Sequence, residues 1–250
     1  MHDLKPLLEK LYLKLNKRAL VNPDPLWFLY DYPDVKDREI TGLIASSLAY
    51  GRVAQILKSI DKILQPMEGK PYDFVTSHSE KDFAAIYKGF VHRFTTDADI
   101  VRLLCGIRRV LKEYGNFENL YLLGSTKFAD EMNMSQKSYL IPSPADGSAC
   151  KRLNLYFRWM VRSDEVDPGG WTRGDKSKLI IPLDTHAFHV ARIFGFTERK
   201  AADLKTAVEI TNRYAEFAPD DPVKYDFALT RFGIRPDMSM NELIEEVAKL

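Results

Sequence analysis

Apolar residues fall at intervals of three and four along nearly the whole chain, and that period commits it to helices. Ile40, Leu43, Ile44, Ser47 and Leu48 make one stripe, and Val53, Ile56, Leu57, Ile60, Ile63 and Leu64 make the next, closed by Pro66. Further stripes run through 97–114 (Ile100, Leu103, Leu104, Ile107, Val110, Leu111), 148–162 (Leu153, Tyr156, Phe157, Met160, Val161), 185–195 and 200–217. The strand-like run is confined to Leu179-Ile180-Ile181, too short and solitary to build a sheet. The period therefore predicts an all-α fold of about ten helices joined by short loops. No fixed-period repeat and no low-complexity linker divides the chain, so residues 1–250 read as a single helical unit with two lobes. The Gly/Pro clusters at 141–147 and 167–174 read as functional loops between helices rather than domain boundaries.

A chain of 250 residues, 45% hydrophobic and 28% charged, buries a sizeable core without staples, which excludes disorder and a fibrous fold. No window approaches the roughly 18 uninterrupted apolar residues of a membrane span, so no membrane partner is expected. The first twenty residues alternate charge with leucine and carry Asp3 and Glu9, unlike a secretory leader; a cytoplasmic location is expected. Two cysteines, Cys105 and Cys150, rule out a disulfide framework, a four-cysteine zinc site and a cysteine-held iron–sulfur cluster. Lys plus Arg (36) balance Asp plus Glu (35), yet residues 151–200 hold ten cations against six acids and 201–250 six against ten. A basic middle and an acidic tail permit a polyanion on one face; chance asymmetry of solvated surface is the alternative.

Two segments carry chemistry. IPSPADGSACKRLNLYFRWMVR begins as a Pro/Gly loop and becomes a helix, with Lys151 in its first turns. Such a start attracts anions, and Gly147 and Ser148 let a phosphate backbone come near. The helix end and Arg152 surround the Lys151 amine with positive potential, which favours a nucleophile; a solvated surface lysine is the alternative. In IIPLDTHAFHVARIFGF, Asp184 takes the N-cap beside an apolar wall, and capping alone could explain it. Asp184, His186 and His189 also spell D-x-H-x-x-H, a possible metal pattern set against two histidines lining a core or groove.

LDTHAFHVARIFGF resembles the V-D-T-H-x-x-R-V-x-x-R-L-G segment of the helix-hairpin-helix-GPD superfamily of DNA glycosylases, in which the Asp is catalytic. ITGLIASSLAYGRVAQILKSIDKIL is similar to that superfamily's early helix pair, with Ala49-Tyr50-Gly51-Arg52 where Gln-Thr residues usually line the base pocket. The resemblance covers 40–235. Ser143 to Lys151 replaces the usual hairpin loop, a variant helix-hairpin-helix, and Lys151 falls where the catalytic lysine would fall. The spacing from Lys151 to Asp184 looks like that of the archaeal 8-oxoguanine DNA glycosylase branch. KRLNLYFRWMVR, DPGGW and IPLDTH also resemble an uncharacterised bacterial and archaeal family of the same superfamily. Asp226, in DPVKYDFALTRFGI, resembles by position an acidic pocket residue of the archaeal branch. A carboxylate there could accept hydrogen bonds from a purine; a surface acid next to an apolar face is the alternative.

The resemblance implies a base-excision DNA glycosylase with AP lyase activity on an oxidised purine such as 8-oxoguanine. Lys151 would attack the sugar and Asp184 assist; Asp226 and Tyr50 would line the base pocket; Gly147, Ser148, Arg152 and His186 would contact the DNA backbone. Arg158, two turns after Lys151, shares its helix face and is expected to line the same cavity, with a solvated helix surface as the alternative. Neither metal nor organic cofactor is expected, the partner is double-stranded damaged DNA, and the protein is expected to be a monomer. Phe157, Trp159 and Trp171 are candidate stacking surfaces, with core packing as the alternative. Two other functions remain open: a non-catalytic or structure-specific DNA-binding protein of the same fold, and a metal-dependent phosphohydrolase using Asp184, His186 and His189.

Overall fold

Side-chain caps set many of the helix starts. Asp34, Asn116, Asp184, Asp203 and Ser239 each accept a backbone N–H of the first turn, and Ser79 with Asp82 forms a reciprocal capping box. The computed structural model describes residues 4–134 and 136–249; Met1 to Asp3 of the leucine-rich N-terminal segment lie outside them. The helices are α1 (Lys5–Leu15), α2 (Val35–Ser47), α3 (Val53–Leu64), α4 (Pro71–Ser77), α5 (Glu80–Ile86), α6 (Asp97–Tyr114), α7 (Phe117–Tyr121), α8 (Ser125–Met132), α9 (Lys151–Val161), α10 (Thr185–Ile193), α11 (Leu204–Ala215), α12 (Asp226–Ile234) and α13 (Met240–Ala248). The fold is all-α apart from a two-stranded antiparallel hairpin, β1 (Val91–His92) and β2 (Thr95–Thr96), in which Val91 faces Thr96 and His92 faces Thr95.

The expected stripes appear as α2, α3, α6, α9, α10 and α11. Periodicity predicts about ten helices, fewer than the thirteen among the described residues, because α4, α5, α7 and α8 have eight residues or fewer and are too short to show a period. The 91–96 hairpin escapes for the same reason: a two-residue strand has no alternation to read. Leu179-Ile180-Ile181 does not pair as a strand; the Ile181 N–H bonds the Thr211 hydroxyl at 3.0 Å and the segment runs extended into Asp184.

Helices α4, α5, α7 and α8 gather on α6, while α10 and α1 pack on α12, which also carries α13. Between these groups α2 contacts both α4 and α9. Helices α2 and α9 come close because Gly42 has no Cβ: one there would stand 3.2 Å from Leu29 and 3.3 Å from Tyr156. One continuous hydrophobic core runs through all of these helices. Phe157, Trp159 and Trp171 are core residues, with Phe157 and Trp171 in a ring cluster with Tyr121 and Tyr156. Among the described residues no helix is long and apolar enough to cross a membrane.

Candidate active site

Helix α9 starts abruptly. Gly147 and Cys150 both sit in the left-handed region (φ 74° and 47°), the Cys150 N–H is held by the Ser148 hydroxyl at 3.1 Å, and the Gly147 carbonyl accepts from Leu204 N. This loop is pinned to the start of α11, so Lys151 enters as the first helical residue with its backbone fixed. Its amine donates to the Ala49 carbonyl at 3.3 Å, in the turn between α2 and α3. Across the opening, Asp184 uses Oδ1 to cap α10 through the Ala187 N–H at 2.8 Å, which leaves Oδ2 free to face Lys151 Nζ at 3.8 Å. One carboxylate thus serves both as cap and as partner of the lysine. Both side chains are part-exposed and reachable from solvent.

Lys151 and Asp184 stand on the wall of a cavity of about 300 Å³ that also takes in Leu155, Arg158, His186 and Asp226. Its far side is built by α12 and by the turn at Asp24, where Asp24 binds the buried Arg231 at 3.2 Å. Asp226, one of the deepest residues, bonds the Arg158 guanidinium through Oδ2, while its Oδ1 is buried with no hydrogen-bond partner. A buried acceptor without a donor costs on the order of 1–3 kcal/mol, so the fold tolerates a loss here. Burial pushes the Asp226 carboxyl up to about 6; Arg158 opposes that rise, and the nearby Asp184 and Asp167 add to it.

Arg158 borders the cavity, as expected, but is committed to buried ion pairs rather than solvated. It is 3% exposed and shared between Asp226 and the fully buried Asp167, which in turn binds Arg162. Arg162 reaches Asp164 and Asp221 as well, each about 3 Å away (2.9 and 3.0 Å). The chain of ion pairs locks α9 to the 164–167 loop and to α12, and it fixes the height of Asp226 below the cavity mouth. Gly233 sits opposite: a Cβ there would collide with the imidazole of His186, so the missing side chain lets the ring come close to α12 at the cavity edge.

Gly147, Ser148 and Arg152 line a neighbouring, more open depression of about 410 Å³, and Lys151 borders both. Arg152 donates to the Ser47 carbonyl at 3.1 Å and to the Tyr139 carbonyl, and its guanidinium lies 5.0 Å from the Tyr50 ring and 4.5 Å from the Tyr139 ring. Tyr50 lies outside the cavity lining, which its neighbours Ala49 and Gly51 supply instead. Its hydroxyl bonds the His92 carbonyl at 2.9 Å and the Thr95 hydroxyl at 2.6 Å, so its job is to hold the β1–β2 hairpin. The sequence reading missed Asp24, Arg231 and Gly233, together with this hairpin; only Asp24, a cap before Pro25, left a local signal. His189 is not in the cavity lining, and among the described residues no three His, Cys, Asp or Glu side chains are grouped to hold a metal ion.

Residues 24–235 match a family described as Protein of unknown function (DUF2400). The chain belongs to that family. The DUF2400 match begins at Asp24 and ends one residue beyond α12, so it contains Lys151, Asp184, Asp226 and Gly233, whereas α1 and α13 lie outside it. No curated protein and no solved structure matches the chain.

Proposed function

We propose that this protein is a base-excision DNA glycosylase with AP lyase activity, of the helix-hairpin-helix-GPD type, acting on an oxidised purine such as 8-oxoguanine. The observation that carries the reading is the Lys151–Asp184 pair at 3.8 Å on the wall of a cavity whose floor holds an unpartnered carboxylate oxygen. An amine facing a carboxylate, both reachable from solvent, suits attack on a sugar. A cavity of about 300 Å³ is at the lower end of the size expected for a ligand pocket and takes a flipped base better than a drug-sized molecule. The gathering of α4, α5, α7 and α8 on α6, and of α1, α10 and α13 on α12, agrees with two lobes, and the cavity is lined by the 49–56 segment with α9, α10 and α12.

In this reading the target nucleotide leaves the duplex and its base enters above Asp226, whose Oδ1 accepts an N–H of the purine. Lys151 Nζ, after giving a proton to solvent, bonds to C1′ as the C1′–N9 bond breaks, and the base departs with the N9 electron pair and takes up the proton that the new ammonium releases, so Asp184 stays ionised. The negative charge of Asp184 stabilises the cationic sugar during that exchange. Opening of the sugar ring gives a Schiff base, which permits elimination at the 3′ side and is released by water. Backbone contacts would come from the Gly147–Ser148 turn, Arg152 and the edge carrying His186.

The test is borohydride trapping on a panel of damaged duplexes that includes 8-oxoguanine and a natural abasic site. Wild type should form a covalent adduct and nick the strand. Lys151→Gln should lose both and still bind DNA, since the side chain is part-exposed and its removal breaks one hydrogen bond and one loose ion pair. Trapping that survives in Lys151→Gln, or none with wild type on any duplex, overturns the reading.

A further inference from the structure

At the tip of the β1–β2 hairpin, Phe94 is 71% exposed, the most exposed large hydrophobic side chain of the described residues. A single surface phenylalanine is ordinary; this one is held in place from several sides. Arg93 adopts φ 54°, a conformation that an arginine rarely takes, and its side chain lies against the bare Cα of Gly51, where a Cβ would come within 2.8 Å of its Cδ. The Arg93 guanidinium lies 5.4 Å from the Phe94 ring. Tyr50 grips the strands on both sides of the tip, at His92 and Thr95, and His92 is itself bonded to Ser59 at 2.9 Å. The Phe94 ring meets the edge of Tyr139, which meets Tyr50 in turn.

The tip is therefore a rigid aromatic point, and its anchor is the wall of the cavity. Ala49 takes the Lys151 amine, Tyr50 holds the hairpin and Gly51 both lines the cavity and seats Arg93. Arg52, Arg93, Lys151 and Arg152 surround this turn, and neither Arg52 nor Arg93 has a carboxylate partner among the described ion pairs. A fixed aromatic ring beside a cluster of cations has the chemistry to enter a base stack: the cations meet phosphates, and the ring faces the bases on either side of a gap.

We propose that Phe94 is the side chain that fills the space an extruded nucleotide leaves in duplex DNA, making it a positioning residue for the cavity beside it. The proposal rests on the base-excision reading for its substrate, but a base stack that accepts Phe94 needs no chemistry at Lys151. Phe94 touches neither the sugar nor the flipped base.

The experiment uses a duplex with one natural abasic site and 2-aminopurine as its 3′ neighbour, with wild type, Phe94→Ala and Phe94→Trp. Binding and 2-aminopurine emission are read with Lys151→Gln also present, and borohydride trapping with Lys151 intact, on the duplex and on the same abasic strand alone. Phe94→Ala should melt like wild type, bind the duplex about tenfold or more weakly, abolish the emission change and slow trapping on duplex only, with Phe94→Trp restoring each. Wild-type trapping that Phe94→Ala slows equally on duplex and single strand, or not at all, overturns the role of Phe94 and leaves the lysine chemistry standing. No trapping, with an emission change that Phe94→Ala removes, sinks the lyase reading and keeps the wedge. Absence of both trapping and duplex binding sinks both, and leaves the tip as a docking point for another protein.

Discussion

Arg158 holds one oxygen of Asp226 and leaves the other buried without a partner. Asp226 lines the same cavity that Lys151 and Asp184 border, so the ion-pair network around it supports a group kept incompletely satisfied. Residues held at such a cost are where function and stability pull apart.

Burial raises the Asp226 carboxyl to about 6, so the folded protein holds its proton more tightly than the unfolded chain, whose carboxyl titrates near its ordinary 3.8. Stability contributed by this group is therefore complete below about pH 4 and is lost as the pH climbs through about 6. Asp226→Asn, which keeps the size and the contact with Arg158, should melt above wild type at pH 7.5 and level with it near pH 4, while excision of an oxidised purine falls more than cleavage at an abasic site. Calorimetry across that range checks the sign; a variant that melts lower at pH 7.5 refutes it.

Asp184 caps α10 with one oxygen and faces Lys151 with the other, and asparagine keeps the first function and not the second. Asp184→Asn should change stability by no more than about 0.5 kcal/mol, since the two residues cap almost equally well. Base excision should drop by on the order of a hundredfold or more, as when one charge-stabilising group is removed. Single-turnover kinetics together with a melting curve separate the two oxygens; unchanged excision would reduce Asp184 to a helix cap.

Alanine in place of glycine in a helix ordinarily adds up to about 1 kcal/mol, whereas overpacking costs about 1–3 kcal/mol. At Gly233 the added methyl meets the His186 ring and the Met240 methyl, 2.7 Å away, so the clash wins. Gly233→Ala should be destabilised by about 1 kcal/mol or more and, by moving His186, should impair the cavity. Adding His186→Ala should recover the stability; a Gly233→Ala variant more stable than wild type would contradict the packing.

Four cations, Arg52, Arg93, Lys151 and Arg152, lie around the 49–52 turn. If the three arginines each neutralise one phosphate, duplex binding should weaken roughly fortyfold between about 50 and 200 mM salt. Arg52→Ala should lower the slope of log K against log salt by about one. Fluorescence anisotropy at several salt concentrations measures both, and a flat dependence would remove DNA as the partner.

Helices and caps are written in contiguous residues, because each helical hydrogen bond spans four positions and each apolar stripe repeats every three or four. That is why α3 and α6 follow from Val53–Leu64 and from Asp97–Tyr114, and why Asp184 is legible as a cap. The same local rules place Lys151 at a helix start. They do not bring its amine to Ala49 or to Asp184, nor do they distinguish the buried Asp226 and Arg158 from acids and bases on a wet surface. Those outcomes depend on α9, α10 and α12 converging, and burial is a property of what surrounds a residue rather than of its neighbours in sequence. Tyr50 shows the limit most directly: its turn is visible in the chain, but its hydroxyl is committed to His92 and Thr95, more than forty positions away. A two-residue strand pair has no period, so only the tertiary structure decided that an exposed phenylalanine stands beside the cavity wall.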